Sequence, residues 1–106
     1  MVRKLPPFAA VRAFEAEARH LSYTMVADKL CLSPSAISHQ VRSLEEYLET
    51  KLFERRNNKM RLTLTGNAYA RKMTSLLDAF EASTLDAINK ASQSIRVLCT
   101  PGFAAR

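Results

Sequence analysis

The dipeptide Ser33-Pro34 and the apolar pattern after it constrain the fold of this chain more than any other feature. Serine is a preferred N-cap of α-helices, and proline is favoured at the first helical position, so the pair predicts a helix that begins at residue 34. Large apolar residues then recur at offsets of four, three and four, which is the spacing of one buried helix face. These residues are Ile37, Val41, Leu44 and Leu48. We therefore predict a helix over residues 34–48 with one side against a core.

The exposed leading edge of this helix carries short side chains and no acid. The edge consists of Pro34, Ser35, Ser38 and His39. Short side chains allow a helix tip to enter the DNA major groove, which is about 12 Å wide, and acids there would meet phosphates. The partial positive charge of a helix N-terminus also favours phosphate. We predict base or phosphate contacts from the three polar residues, an apolar contact of Pro34 with a thymine methyl group, and a phosphate contact from Arg42. Plain solvation of these side chains is the alternative.

A first helix is predicted to begin after Pro6 and Pro7, because proline is tolerated in a first turn. Apolar residues recur along it near helical spacing, and charged residues fill much of the opposite face. The apolar set is Phe8, Val11, Phe14 and Ala18, and the charged set is Arg12, Glu15, Glu17 and Arg19. This segment is therefore predicted to be amphipathic.

A short second helix completes a spacing that is typical of DNA-binding proteins. Ser22 or Thr24 can cap it, and it would end near Leu30 after burying Val26 and Ala27. Residues 31–33 then form a tight turn. A short helix, a three-residue turn and a longer helix have the helix-turn-helix spacing, in which the second helix lies in the major groove.

A basic hairpin is predicted after the third helix. Extended segments at residues 51–55 and 60–62 flank an Asn57-Asn58 pair, and asparagine tolerates the positive φ of a tight turn. Residues 51–61 contain five cations and one acid and are net +4 by count. We interpret the hairpin as a wing whose Arg55, Arg56 and Lys59 contact phosphates or a narrow minor groove. A solvated basic loop is the alternative.

A long last helix is predicted from its cap Thr63 to residue 92. It would reach roughly 40 Å at 1.5 Å per residue, which is longer than a core of this size needs. Its apolar residues extend beyond one stripe, and this favours pairing with a second copy in a homodimer. The predicted dimerisation residues are Tyr69, Met73, Leu76, Leu77, Phe80, Leu85 and Ile88. Folding of this helix back onto the first three is the alternative.

The tail has a different pattern from the long helix. Apolar and polar residues alternate from residue 94, and a Pro101-Gly102 pair follows, so the segment 94–105 predicts one strand and a turn. Because a lone strand is not stable, we predict that residues 93–106 begin a second domain.

Charge and cysteine content narrow the functional class. A formal net charge of +6 favours an acidic partner, most often nucleic acid. Cys31 and Cys99 lie far apart without a C-x-x-C spacing, so we predict no zinc site and no disulfide framework, in a reducing cytoplasm. No apolar run approaches the roughly 20 residues of a membrane span, so no membrane partner is predicted.

Several segments resemble the LysR-type transcriptional regulators of bacteria. Residues 14–24 have the pattern F-x-A-x-A-R-H-x-S-Y-T of that family's first helix and the start of its second. The stretch LSPSAISHQVRSLEEYL is similar to its recognition helix, and KLFERRNNKMRLTLTG to its wing and the cap of its linker helix. The ending IRVLCTPGFAAR resembles the first strand of the effector-binding domain in the branch that contains the glycine-cleavage regulators.

The resemblance implies a mainly α fold in three parts. Residues 1–62 would form a winged helix-turn-helix of three helices and a short β-hairpin, residues 63–92 a linker helix that pairs antiparallel in a dimer, and residues 93–106 the start of a truncated effector-binding domain. Base or near-base contacts are expected from Pro34, Ser35, Ser38 and His39. Backbone or wing contacts are expected from Ser22, Thr24, Ser33, Arg42, Arg55, Arg56 and Lys59.

Three positions depart from the family pattern. Thr65 stands where alanine is usual before Gly66. Met25 stands where an arginine is common, which removes one expected phosphate contact. Glu49 stands where glycine is usual, so a residue with a Cβ must adopt the positive φ of a helix C-cap.

The predicted function is sequence-specific binding of double-stranded promoter DNA by a dimeric bacterial regulator at the nucleoid. No cofactor is expected in this domain, and a small-molecule effector is expected in the missing C-terminal domain. RNA polymerase is a further expected partner, and a tetramer is an alternative state of the full-length protein. A helical protein–protein adaptor with an incidental basic wing is the alternative function. An enzyme is not predicted, because His20 and His39 have no evident catalytic partners.

Overall fold

The structure, a computed structural model, describes residues 4–97, with side chains as far as residue 93. Four helices and one hairpin follow one another along the chain. They are α1 (Phe8–His20), α2 (Tyr23–Leu30), α3 (Pro34–Leu48), β1 (Phe53–Arg56), β2 (Lys59–Leu62) and α4 (Leu64–Val97). Contacts divide the chain into two units, residues 1–74 and 75–106, and α4 belongs to both. The predicted mainly α winged helix-turn-helix is confirmed.

Serine hydroxyls cap the second and third helices. Ser33 Oγ accepts a 3.1 Å hydrogen bond from the N–H of Ala36, and Pro34 occupies the first turn of α3. The cap of α2 is Ser22 rather than Thr24, because Ser22 Oγ accepts a 3.3 Å hydrogen bond from the N–H of Met25. The predicted start and end of α3 are therefore confirmed, and the choice left open for α2 is decided.

Each of the first three helices is followed by a residue other than glycine in the left-handed backbone conformation. Leu21 follows α1 with φ 53°, Cys31 follows α2 with φ 58°, and Glu49 follows α3 with φ 56°. Each conformation costs about 1 kcal/mol, because the Cβ approaches the following carbonyl oxygen. The C-cap predicted at Glu49 is confirmed, and its N–H is bonded to the carbonyl oxygens of Glu45 and Glu46.

The ring of Phe14 joins three elements in the core of the first unit. Its centroid lies 5.5 Å from that of Phe53 in β1 and 5.6 Å from that of Tyr69 in α4. One buried cluster contains Ala10, Val11, Phe14, Leu44, Leu52 and Ala70, and a second contains Ala13, Ala16, Val26, Ala27, Ile37 and Val41. The buried face predicted for α3 is thus confirmed, with Leu48 packing partly buried on the first cluster.

The polar face predicted for α1 is wrong at two positions. Glu15 and Glu17 are buried, whereas Phe8 is more than half exposed. Because α1 contacts both α2 and α3, and Glu15 also meets α4 through Thr74, more than one face of this helix is covered. A single amphipathic stripe therefore does not describe it.

The hairpin is confirmed, with strands at Phe53–Arg56 and Lys59–Leu62 instead of the predicted 51–55 and 60–62. Arg56 pairs with Lys59, so the turn contains only Asn57 and Asn58, at φ 52° and 62°. Two central residues with positive φ match the right-handed twist of the flanking strands. The first strand begins at Phe53 because the backbone groups of Leu52 are bonded to a helix side chain and to Thr63 instead.

The last helix begins as predicted, since Thr63 Oγ1 accepts a 2.9 Å hydrogen bond from the N–H of Gly66. It continues to Val97, so the strand predicted from residue 94 is wrong over residues 94–97. A helix satisfies its backbone hydrogen bonds within itself, whereas a strand needs a partner. The rest of that predicted strand, with its Pro-Gly turn, lies outside the described residues.

Candidate nucleic-acid interface

The predicted edge of α3 is exposed at its start. The first turn contains no acid, and Pro34, Ser35 and His39 are exposed, as is Arg42 one turn further along. Ser35 Oγ lies 3.3 Å from Ser33 Oγ, so these two hydroxyls are hydrogen-bonded. The helix tip therefore presents small polar side chains at the positive end of the helix dipole, which together suit an anionic partner.

Ser38 differs from its neighbours because it is half-buried beside Tyr23, the first residue of α2. Burial raises the pKa of the Tyr23 hydroxyl, the charge of Glu17 adds to the rise, and a side-chain hydrogen bond with Ser38 opposes it. The Ser38 hydroxyl therefore has a partner within the chain. Sequence reasoning missed Tyr23, whose only signal is its position directly after the cap of α2.

The hydroxyls of Ser22 and Ser33 lie at the N-termini of α2 and α3. The oxygen of Ser22 accepts from a backbone N–H, so its own O–H remains a donor that could reach a phosphate. Thr24, the other candidate on α2, is exposed in the first turn.

The cations of the wing are all exposed. Arg55, Arg56 and Lys59 lie on the two strands next to the turn. Arg56 Nε lies 3.8 Å from a carboxylate oxygen of Glu54, and both side chains are largely in solvent. An exposed pair of this kind contributes about 0–1 kcal/mol, so it leaves Arg56 available to a phosphate.

An open cleft between α3 and the wing brings several of the predicted residues together. Its lining includes Tyr23, Ser38, Val41, Arg42, Glu45, Lys51, Phe53, Glu54, Arg55 and Met60. Ser38 and Arg42 therefore face the same space as Arg55 of the wing. Ser38, the half-buried residue of the α3 edge, and the wing therefore belong to one continuous surface.

The wing is attached to two helices at residues 51–53, which we call the wing root. Glu45 Oε2 accepts hydrogen bonds from the N–H groups of Leu52 at 2.8 Å and Phe53 at 3.3 Å. The Thr63 hydroxyl donates to the carbonyl oxygen of Lys51 at 2.8 Å, and the Thr63 N–H donates to that of Leu52 at 3.0 Å. Sequence reasoning missed the role of Glu45, whose only signal is its place beside the buried residue Leu44.

The predicted dimerisation residues divide into two groups. Tyr69 and Met73 pack against the core of the first unit, and Leu77 is half-buried. In the second unit, four residues are between 54% and 56% exposed: Leu76, Phe80, Leu85 and Ile88. An apolar surface of this extent on one helix is unusual for a solvated helix and is typical of an interaction surface.

Within residues 4–97, no three His, Cys, Asp or Glu side chains are grouped so that they could hold a metal ion. The helices in the same part of the chain are also too short or too polar for any of them to cross a bilayer.

A family model described as "Bacterial regulatory helix-turn-helix protein, lysR family" matches residues 8–67 of this chain. The chain is 39% identical over 105 residues to the glycine cleavage system transcriptional activator of Escherichia coli K12, covering 98% of this chain and 34% of that protein. It is 47% identical over 81 residues to the HTH-type transcriptional activator AmpR of Pseudomonas aeruginosa, covering 76% of this chain and 26% of that protein. The chain thus spans between about a quarter and a third of the length of these relatives.

Solved structures of the same fold include complexes with DNA. The structure described as the BenM_DBD/benA site 1 DNA complex is similar with a TM-score of 0.74 and 29% identity, covering 81% of this chain and 97% of that chain. The CbnR_DBD-DNA complex is similar with a TM-score of 0.69 and 26% identity, covering 80% of this chain and 98% of that chain. From the match over residues 8–67 and these relatives, the chain belongs to the LysR family of bacterial helix-turn-helix regulatory proteins.

Proposed function

We propose that this chain is the DNA-binding part of a bacterial transcription regulator and binds double-stranded DNA with sequence specificity. The observation that carries the proposal is the exposed, acid-free tip of α3, with its short side chains, beside a wing whose Arg55 borders the cleft that Ser38 and Arg42 of α3 line. The tip of α3 would enter the major groove, where Ser35 and His39 reach base edges or nearby phosphates. The relatives are transcriptional regulators and two similar structures are DNA complexes, which supports the same assignment.

Backbone contacts would surround this tip. The hydroxyls at the helix N-termini would donate to phosphates, and the partial positive charge of the α3 N-terminus would add to the attraction. Arg42, Arg55, Arg56 and Lys59 would supply the charge that gives affinity without sequence information. In this arrangement the wing strengthens binding and the helix tip selects the sequence.

Two copies would bind together through the exposed apolar residues of α4. Leu76, Phe80, Leu85 and Ile88 would be covered by the same residues of a second chain, as in an isologous interface. The two α3 helices would then read half-sites about 34–36 Å apart, or a multiple of that distance.

The remaining parts of the proposal concern the whole regulator. We propose that this domain acts without a cofactor, that a small-molecule effector is sensed outside it, and that RNA polymerase is contacted at the promoter. The proposed place of action is the bacterial nucleoid.

Selection from a pool of random double-stranded DNA tests the proposal. The wild-type chain is expected to enrich one sequence motif, and the double variant Ser35→Ala/His39→Ala to lose or change it, because both side chains are exposed at the tip. Ser83→Ala on the exposed face of α4 is the matched control and should enrich the wild-type motif. Absence of any enriched motif with the dimer intact would favour a helical protein–protein adaptor instead.

A further inference from the structure

Glu45 is the link between the recognition helix and the wing. One carboxylate oxygen, Oε2, accepts two of the N–H groups of the wing root, from Leu52 at 2.8 Å and from Phe53 at 3.3 Å. Leu52 precedes β1, so its N–H has no partner in the hairpin ladder. We propose that Glu45 is a positioning residue for DNA binding: it fixes the wing relative to α3 and thereby determines which phosphates the wing cations reach. This inference rests on the proposed function.

The position of Glu45 on α3 supports this role. Ser38, Arg42 and Glu45 are separated by four and three residues and therefore lie on one helix face. All three line the cleft that Arg55 borders from the wing side. The same helix face thus carries a residue near the reading tip at one end and the attachment of the wing at the other.

The opposite side of the wing root is also held. Thr63, the cap of α4, bonds the carbonyl oxygens of Lys51 and Leu52 through its hydroxyl and its N–H. Thr63 holds the carbonyl groups and Glu45 holds the N–H groups. Loss of the Glu45 acceptor would leave only the apolar packing of Leu52 and Phe53 on that side, and the root would then turn about Thr63. The wing cations would then move relative to the recognition helix, even though the hairpin ladder itself stayed intact.

A carboxylate here could affect DNA binding through its charge alone, since it repels phosphate. Two substitutions separate the effect of the charge from the effect of the side-chain length. Glu45→Gln removes the charge but keeps an oxygen at the same distance along the side chain, which can accept both N–H groups. Glu45→Asp keeps the charge but shortens the side chain by one methylene group, so it loses the geometry of the two bonds.

The measurement is the salt dependence of binding to a mixed-sequence DNA duplex by the full chain. We expect Glu45→Asp to reduce the slope of log affinity against log salt by roughly 0.9 for each phosphate that the displaced wing no longer reaches, and Glu45→Gln to keep the wild-type slope. Glu46→Asp and Glu46→Gln are the matched controls, because Glu46 is exposed and neighbours Glu45. If the salt slope changed in Glu45→Gln but stayed at the wild-type value in Glu45→Asp, the charge of Glu45 would account for its effect. That result would overturn the proposal.

A double-mutant cycle separates positioning from loss of stability. Arg55→Ala/Arg56→Ala is expected to weaken binding several-fold in the wild-type background and by a clearly smaller factor in Glu45→Asp, because the wing is already displaced. A partly unfolded Glu45→Asp would lower both affinities by one common factor, so the loss caused by the arginine substitutions would be unchanged. An equal loss in the two backgrounds therefore overturns the proposal.

The outcome also distinguishes the inference from the function on which it rests. A wild-type chain that binds no duplex refutes the proposed function. A wild-type chain that binds, with Glu45→Asp binding at the same slope and with the same dependence on the two arginines, refutes only the role of Glu45.

Discussion

The hydroxyl of Thr74 donates a 2.9 Å hydrogen bond to Oε2 of Glu15, which joins α4 to α1 across 59 positions of sequence. The same carboxylate oxygen lies 3.0 Å from Nε of Arg19, whose side chain is 59% exposed. Because Glu15 is itself almost fully buried, these partners offset the cost of removing its charge from water. Thr74 is thus a specific attachment of α4 to the helical core of the first unit.

Thr74→Val should lower the free energy of unfolding by about 1.5–3 kcal/mol, since valine keeps the shape of threonine but cannot donate to the carboxylate. Urea denaturation followed by circular dichroism, at one protein concentration, measures the change. Thr65→Val is the control, because Thr65 is exposed and lies in the first turn of the same helix. Equal losses for the two variants would contradict a special role of the bond to Glu15.

Glu17 should make the stability of the fold depend on pH. The side chain is fully buried, and neither carboxylate oxygen has a hydrogen-bond partner among the described residues. Burial raises the pKa of Glu17 from 4.5 to about 7. The folded chain therefore holds this proton more tightly than the unfolded chain. The contribution of this difference to the free energy of unfolding is fully present below pH 4.5 and is lost as the pH rises through about 7.

Glu17→Gln tests this dependence by removing the titrating group at nearly constant volume. We expect the variant to be more stable than wild type at about pH 8, by about 1–3 kcal/mol, and the advantage to disappear toward about pH 5. Denaturation curves across this range provide the measurement, with Glu81→Gln on the exposed face of α4 as the control. A constant difference between wild type and variant at all pH values would contradict the prediction.

Glu49→Gly should stabilise the chain, because Glu49 ends α3 at φ 56°. Glycine adopts this conformation without the Cβ penalty, so the expected gain is about 1 kcal/mol, or roughly 4–8 °C in the melting temperature of a domain of this size. Glu49→Ala removes the same charge and keeps the Cβ, and it should give no gain. A similar gain in both variants would assign the effect to charge rather than to backbone conformation.

Gly66→Ala should destabilise the chain although Gly66 lies in a helix. A Cβ at this position would collide with the carbonyl oxygen of Leu52 and lie 2.9 Å from its carbonyl carbon. We expect a loss of about 2–3 kcal/mol in thermal or urea unfolding, where an open helix position would gain from alanine. Thr65→Ala, one residue earlier and exposed, is the reference. A stability of Gly66→Ala at or above wild type would refute the close packing of the wing root on α4.

DNA binding should weaken steeply with salt. If a dimer makes six or more phosphate contacts, affinity falls by about 10³-fold or more between about 50 and 200 mM salt. Fluorescence anisotropy with a labelled duplex measures the slope. A flat response would contradict binding through the wing and the helix N-termini.

The parts of the fold that sequence predicted best are those with local signals. The serine cap and the proline of α3 determine its start within one turn, and the Asn57-Asn58 pair determines the hairpin turn. Both signals depend on backbone conformations that neighbouring residues alone specify.

Predictions that depended on distant neighbours were less accurate. Glu15 and Glu17 were expected to face solvent because periodicity describes one helix at a time, while α1 is covered on several sides. Tyr69 and Met73 share a stripe with Leu76 and Phe80, yet the first pair packs on the core. The contacts of individual residues with DNA remain predictions. Such a contact depends on the position of the DNA relative to the helix tip, which the amino-acid sequence does not specify.

The wing root also bears on the order in which the chain folds. The amide protons of Leu52 and Phe53 are bonded to a side chain seven and eight positions earlier, and the carbonyl of Lys51 to a hydroxyl twelve positions later. The root is therefore organised only once α3 and the start of α4 have docked on either side of it. We expect the hairpin to form late in folding and to open first in native-state hydrogen exchange, before the three helices release their own amides. The hairpin that is proposed to contact the DNA backbone would then also be the part of the domain that unfolds locally at the lowest free energy.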